Sequence, residues 1–175
     1  MHSTATSFAP PVIDDNLRAC YQRDGVVILR QAISPDWVER MNRFAQAQLD
    51  APRRWVNDQP ESSDTGGRLF TDRYLWRTHE DVRAFAFESG VAGLVGQLMG
   101  SQTARLYFDH LLIKEPRTLA PTPWHQDGPY WPFQGRQIAS AWVALTDASG
   151  EGSAMEFVRG SHADGRVYRP EVCGS

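Results

Sequence analysis

The 175-residue sequence predicts an α+β domain, helical early and β-rich late. Three observations carry that expectation. Capped amphipathic segments fill residues 14–50, and from Ala104 onward the pattern changes to runs of aromatic and β-branched residues with turn signals between them. No internal repeat is present, and with 41% hydrophobic and 11% aromatic residues the chain has enough apolar side chains for one sizeable core.

Residues 1–12, rich in Ser, Thr, Ala and Pro, read as a mobile tail ahead of a single domain spanning 13–175. Asp14 or Asp15 caps a first helix that places Leu17, Cys20 and Tyr21 on one face and stops at Gly25. Val26–Leu29 then reads as a short buried strand. Ser34-Pro35 is an N-cap followed by proline at the first helical position, and Trp37, Val38, Met41, Phe44, Ala45 and Leu49 form the apolar face of a second helix.

The polar stretch 51–67, with Pro52, Pro60 and Gly66-Gly67, reads as a long loop. Arg53, Arg54, Arg68 and Arg73 flank it, either as contacts for an anionic ligand or as ordinary surface charges. Two more helices are expected over His79–Glu88 and Val91–Met99, the second weakened by Gly93 and Gly96. Ala104–Lys114 opens the β region, with further strands around Ile138–Thr146 and Ser153–Arg159.

The chemistry concentrates in Pro123-Trp124-His125-Gln126-Asp127-Gly128. On extended backbone residues two apart point to the same side, so the imidazole of His125 and the carboxylate of Asp127 can converge on one metal ion. Such a pair is two thirds of the 2-His-1-carboxylate face that suits Fe(II). The alternative is a half-buried histidine satisfied by hydrogen bonds, with Asp127 capping a turn. The triplet alone is a weak signal, since it recurs as His162-Ala163-Asp164 between Gly160 and Gly165, where a turn is expected. Trp124, Tyr130, Trp131 and Phe133 surround the first occurrence as an aromatic wall able to exclude water.

Four ordered blocks widen the evidence: Tyr107-Phe-Asp-His-Leu-Leu-Ile-Lys-Glu-Pro116, Thr122-Pro-Trp-His-Gln-Asp-Gly-Pro-Tyr-Trp-Pro132, Ala141-Trp-Val-Ala-Leu-Thr-Asp147 and Glu156-Phe-Val-Arg-Gly-Ser-His162. Together they resemble the phytanoyl-CoA dioxygenase family, closely over Tyr107–His162 and more weakly from Asp24-Gly25-Val26-Val27-Ile28-Leu29 onward. The resemblance implies a double-stranded β-helix core (a cupin-like jelly roll) with N-terminal packing helices, and an Fe(II)- and 2-oxoglutarate-dependent dioxygenase that hydroxylates a small-molecule C–H bond with ascorbate as reductant. It implies His125 and Asp127 as iron ligands, Gln126 and Trp142 as co-substrate contacts, and Trp131 as a substrate contact. The Gly160-Ser161-His162 block matches a structural turn of the family.

The distal histidine and the basic residue that binds the far carboxylate of 2-oxoglutarate lie, in the family, beyond that turn. The chain is therefore expected to represent only the N-terminal part of the barrel, with His162 and His110 as weaker substitutes for the third ligand. Three readings follow: an oxygenase, a catalytically inactive fragment serving as a binding or assembly module, and a cupin-like metal protein of other chemistry, which would need a histidine pair on one strand. If the Trp142 strand lines the site, Ser140, Trp142, Ala144 and Thr146 share its cavity face, while Ala139, Ala141, Val143 and Leu145 share the other.

A net charge of -3 argues against a polyanion-binding surface, so no nucleic-acid partner is expected. Cys20 and Cys173 are too few for a disulfide framework and lack the companions of a zinc site. No apolar run approaches the roughly 20 residues of a membrane span, and Met1–Pro11 lacks a signal-peptide pattern. A cytoplasmic protein acting on a small molecule and O2 is the expectation, with the oligomeric state open.

Overall fold

A computed structural model of the protein describes residues 8–53, 56–60, 67–118, 122–149 and 154–169. Its elements run α1 (Asp15–Asp24), α2 (Pro35–Asp50), β1 (Asn57–Pro60), β2 (Arg68–Arg73), α3 (Glu80–Glu88), α4 (Val91–Met99) and β3 (His110–Lys114). Single 3-10 turns at Leu75–Arg77, Gly128–Tyr130 and Ser161–Ala163 complete the set. Among the described residues no helix is long and apolar enough to cross a membrane.

Helix α1 starts where the sequence places it. Asp14 is extended and its carboxylate accepts the Leu17 N–H at 2.8 Å, while Gly25, at φ +76°, donates its own N–H to Tyr21 O. Ser34 caps α2 and Pro35 opens it. That helix buries Met41, Phe44, Ala45 and Gln48. Met41 and Phe44 join Leu75 and Val82 in the main core, and Trp76, Phe85, Leu111 and Leu145 pack around them. A second cluster of Ile13, Leu94 and Leu98 ties α4 to Leu17 and Tyr21 of α1.

The three strands form one antiparallel sheet in the order β1-β2-β3, with Phe70 of the central strand fully buried. Neither β1 nor β2 was expected. The Asn-Asp-Gln-Pro of β1 has no apolar alternation, because an edge strand is held by backbone hydrogen bonds to β2 and tolerates polar residues and a terminal proline. The expected loop is thus partly strand. Residues 61–66, at its end, lie outside the described residues.

Three other expected strands take a different form. Val26–Leu29 is only partly buried, with Ile28 75% exposed and Val27 and Leu29 packed on the second cluster, and it pairs with no strand among the described residues. Its apolar side chains are taken up by the cluster of α1 and α4 without a ladder. Residues 138–146 are likewise outside the sheet: Leu145 enters the main core, and its carbonyl accepts from Asn42 Nδ2 at 2.7 Å. Residues 154–159, the described part of the third, are also unpaired as strand. A jelly roll closes eight strands into two sheets, and among the described residues only this three-stranded sheet is formed.

Candidate metal centre

The stretch 122–126 carries no helix or ladder, and Asp127, at φ -67° and ψ -39°, begins the 3-10 turn Gly128–Tyr130. Proline at 129 suits the first positions of such a turn, where an N–H has no partner to find. The Asp127 carbonyl accepts from Tyr130 N–H at 3.0 Å, but its carboxylate makes no cap bond to the turn. Asp127 thus stands at the cap position of the turn through its backbone alone, and its carboxylate is directed elsewhere.

That carboxylate meets His125. Nε2 of His125 lies 3.3 Å from Oδ1 of Asp127. The other ring nitrogen, Nδ1, is 2.8 Å from the Pro123 carbonyl. A carbonyl only accepts, so Nδ1 carries the proton, and in the neutral ring Nε2 then presents its lone pair. A nitrogen lone pair and a carboxylate oxygen facing each other at this distance repel unless a cation or a proton lies between them. Two donors each about 2.0–2.2 Å from one divalent ion, set at a right angle, lie about 3 Å apart. The pair fits a metal ion on both grounds, and an imidazole with a carboxylate is a donor set Fe(II) accepts.

Ser140 completes the carboxylate's surroundings by donating from Oγ to Asp127 Oδ2 at 2.9 Å. The sequence placed Ser140 on the cavity face of its segment with Trp142, Ala144 and Thr146; its hydroxyl is a hydrogen-bond partner of the Asp127 carboxylate. Trp142, two residues on, is 51% exposed and faces solvent, because no opposing sheet is formed among the described residues to cover it.

The aromatic wall is present in part. Tyr130 stands edge-on to the His125 ring at 6.1 Å, Trp131 stacks on Phe133 at 5.7 Å, and Phe133 meets Tyr107 edge-on at 4.7 Å. Trp124 turns outward and is 68% exposed, so it shields nothing. Extended backbone at 124 sends its side chain away from that of His125.

Gln126, between the two donors, is half-buried and directed elsewhere. Its Nε2 donates to the Arg166 carbonyl at 2.9 Å, and its Oε1 accepts from the Tyr168 N–H at 3.0 Å.

Neither candidate for a third ligand joins the pair, and among the described residues no group of three His, Cys, Asp or Glu side chains could hold a metal ion. His162 is committed at the end of α1, its Nε2 donating to the Gln22 carbonyl at 3.0 Å. His110 pairs across the sheet with Arg73. Although the residue as a whole is exposed, desolvation by the protein around the ring is the main cause that holds its pKa down to about 4. Arg73 adds to the lowering, while Asp127 and Asp72 oppose it.

Of the flanking arginines, Arg53 is taken up by the buried Asp72 through Nε at 2.8 Å and by Thr78, and Arg68 lies 3.4 Å from Glu115. Both serve the sheet. Arg54 lies outside the described residues. Cys20 has no disulfide partner among the described residues, and Cys173 lies outside them.

Comparison with known proteins adds two findings. The profile of the phytanoyl-CoA dioxygenase (PhyH) family matches residues 21–173. A curated protein, the 2-aminoethylphosphonate dioxygenase of Uncultured bacterium HF130_AEPn_1, is 29% identical over 118 residues, which cover 66% of this chain and 42% of that protein. The chain matches less than half the length of that relative. No solved structure matches.

Proposed function

The chain belongs to the phytanoyl-CoA dioxygenase family, and on that premise we propose that it acts as an Fe(II)- and 2-oxoglutarate-dependent dioxygenase on a small-molecule C–H bond, with a double-stranded β-helix as its complete core. The observation that carries the reading is the His125–Asp127 pair, an imidazole nitrogen and a carboxylate oxygen held 3.3 Å apart with a partner on the far side of each. Fe(II) with 2-oxoglutarate bound there supplies the activation of O2, which no amino-acid side chain can perform.

The chain's own residues hold and shield. Pro123 fixes the tautomer and orientation of His125 through its carbonyl. Ser140 takes one oxygen of Asp127 and so directs the other. Tyr130 stands edge-on to the imidazole, and Trp131, Phe133 and Tyr107 pack on one another as an aromatic group next to it in the chain. Trp142, 51% exposed, is the proposed co-substrate contact. Trp131 is the proposed substrate contact, and a small polar substrate, of the kind the 2-aminoethylphosphonate dioxygenase is named for, is the first to assay.

A second reading, a catalytically inactive binding or assembly module, is favoured by the missing third donor among the described residues. One experiment separates the two. Fe(II) is titrated anaerobically into the protein and into His125→Ala, and succinate formation from 2-oxoglutarate is then measured with ascorbate present. Metal binding that needs His125, with succinate formed, supports the dioxygenase. Binding without succinate supports the module, and equal binding by both proteins removes the metal assignment.

A further inference from the structure

The residue between the two metal donors ties them to a segment some 40 positions further along the chain. Gln126 directs its side chain to Arg166 and Tyr168, whereas those of His125 and Asp127 meet each other. Its carboxamide instead grips the 166–168 backbone at both ends, donating to the Arg166 carbonyl at 2.9 Å and accepting from the Tyr168 N–H at 3.0 Å. A carboxamide offers a donor and an acceptor side by side, as a peptide group does, so it meets that backbone much as a neighbouring strand would.

The gripped segment is itself anchored. Just before it, Gly160 donates its N–H to the Asp24 carbonyl at 2.8 Å, and His162 Nε2 donates to the Gln22 carbonyl at 3.0 Å. Arg159 adds its charge 3.9 Å from the Asp24 carboxylate. Gly25 makes the docking possible: its φ is +76°, and a Cβ at that position would stand 2.3 Å from Nδ1 of His162. The C-terminal end of α1, the Ser161–Ala163 turn and Gln126 thus form one chain of contacts ending between the two donors.

We infer that Gln126 is a positioning residue for the metal pair, its carboxamide clipping the 166–168 backbone to the His125-Gln126-Asp127 stretch while the Gly160-Ser161-His162 turn pins that segment to the end of α1. The inference rests on the metal reading above and gives Gln126 a part other than co-substrate contact. The stretch 122–126 has no ladder to stiffen it, so without the clip the two donors gain freedom that metal binding must then remove. Partners of this outer kind are worth about 10–100-fold in metal affinity.

Co(II) is the probe, because its visible absorption reports ligand geometry without turnover. It is titrated into the wild-type protein, Gln126→Ala, Gln126→Glu and Gly25→Ala, with circular dichroism as the check on folding and amide exchange at Tyr168 as the readout of the clip. Gln126→Ala is expected to bind Co(II) about 10–100-fold more weakly, with a changed absorption envelope and faster exchange at Tyr168. Gly25→Ala, which displaces His162 far from the donors, is expected to weaken binding in the same direction.

Gln126→Glu keeps the acceptor for Tyr168 but sets an oxygen against the Arg166 carbonyl, so it decides the matter should the alanine variant not fold. A folded Gln126 variant with wild-type affinity and spectrum overturns the inference alone. A wild-type protein that binds no Co(II) removes the metal reading, and this inference with it.

Discussion

Ser140 Oγ donates to Asp127 Oδ2 at 2.9 Å, which joins the segment after the aromatic flank to the carboxylate that faces His125. A carboxylate with one oxygen held in this way has lost much of its rotation, and its remaining oxygen faces Nε2 of His125 at 3.3 Å. Removing the hydroxyl frees that rotation while leaving the ligand itself unchanged.

Ser140→Ala is therefore expected to weaken Co(II) or Fe(II) binding by about tenfold, with Ser140→Thr close to wild type because it keeps the hydroxyl. Anaerobic titration followed by absorption measures both. An alanine variant that binds as tightly as wild type would show that the hydrogen bond is incidental.

Phe70 is the fully buried residue of the central strand β2, flanked in register by Asp58 of β1 and Ile113 of β3. Truncation leaves a cavity that the flanking strands cannot close, so Phe70→Ala is expected to lose about 3–5 kcal/mol of stability. Urea denaturation reads this as a lower midpoint. A loss under about 1 kcal/mol would mean that the site collapses freely.

Asp109 holds the start of the Leu75–Arg77 turn, its two oxygens accepting the N–H groups of Leu75 at 3.1 Å and Trp76 at 2.9 Å. Burial pushes its pKa up, and it outweighs the lowering by those same hydrogen bonds. Asp109→Ala leaves two N–H groups without their acceptor and is expected to destabilise by about 1–2 kcal/mol. Asp109→Asn, which keeps one acceptor oxygen, should fall between. Thermal or urea melts of the three proteins rank them, and an alanine variant as stable as wild type would contradict the capping role.

Asp24 is held below its ordinary pKa, first by its hydrogen bonds from Arg23, then by the charges of Arg23, Arg159 and His162, with desolvation opposing. The unfolded chain therefore takes up this proton at a higher pH than the folded one does. The stability Asp24 contributes is whole above the ordinary carboxylate range and is lost as pH falls through its lower folded value. Melting of wild type and Asp24→Asn from pH 7 into the acid range should show a steeper acid loss in wild type. Parallel curves would assign the carboxylate no part in holding the Arg159–His162 turn.

Much of the helical half was legible because helix signals are local. Asp14, Gly25, Ser34 and Pro35 act within four residues of themselves, and the apolar spacing of α2 records a face whatever that face packs against. The His125–Asp127 pair was legible for a related reason, since two residues on the same side of extended backbone are neighbours by geometry alone.

Tertiary structure decided the rest. The polar β1 is a strand only because β2 offers it a backbone ladder, and β2 pairs with β3 across some forty residues. Val26–Leu29 shows the converse, an apolar run that found helices to pack on and no ladder to join among the described residues. Ser140 reaches Asp127, Gln126 reaches Arg166 and Tyr168, and His162 reaches Gln22 across separations of 13 to 140 positions. A sequence states which side chains have hydroxyl, amide or imidazole groups to offer. Which distant partner each one meets is set by how the cores of α2, α3 and the sheet, and of α1 and α4, bring the chain together, because buried apolar contact carries no information about hydrogen-bond pairing until the backbone path is chosen.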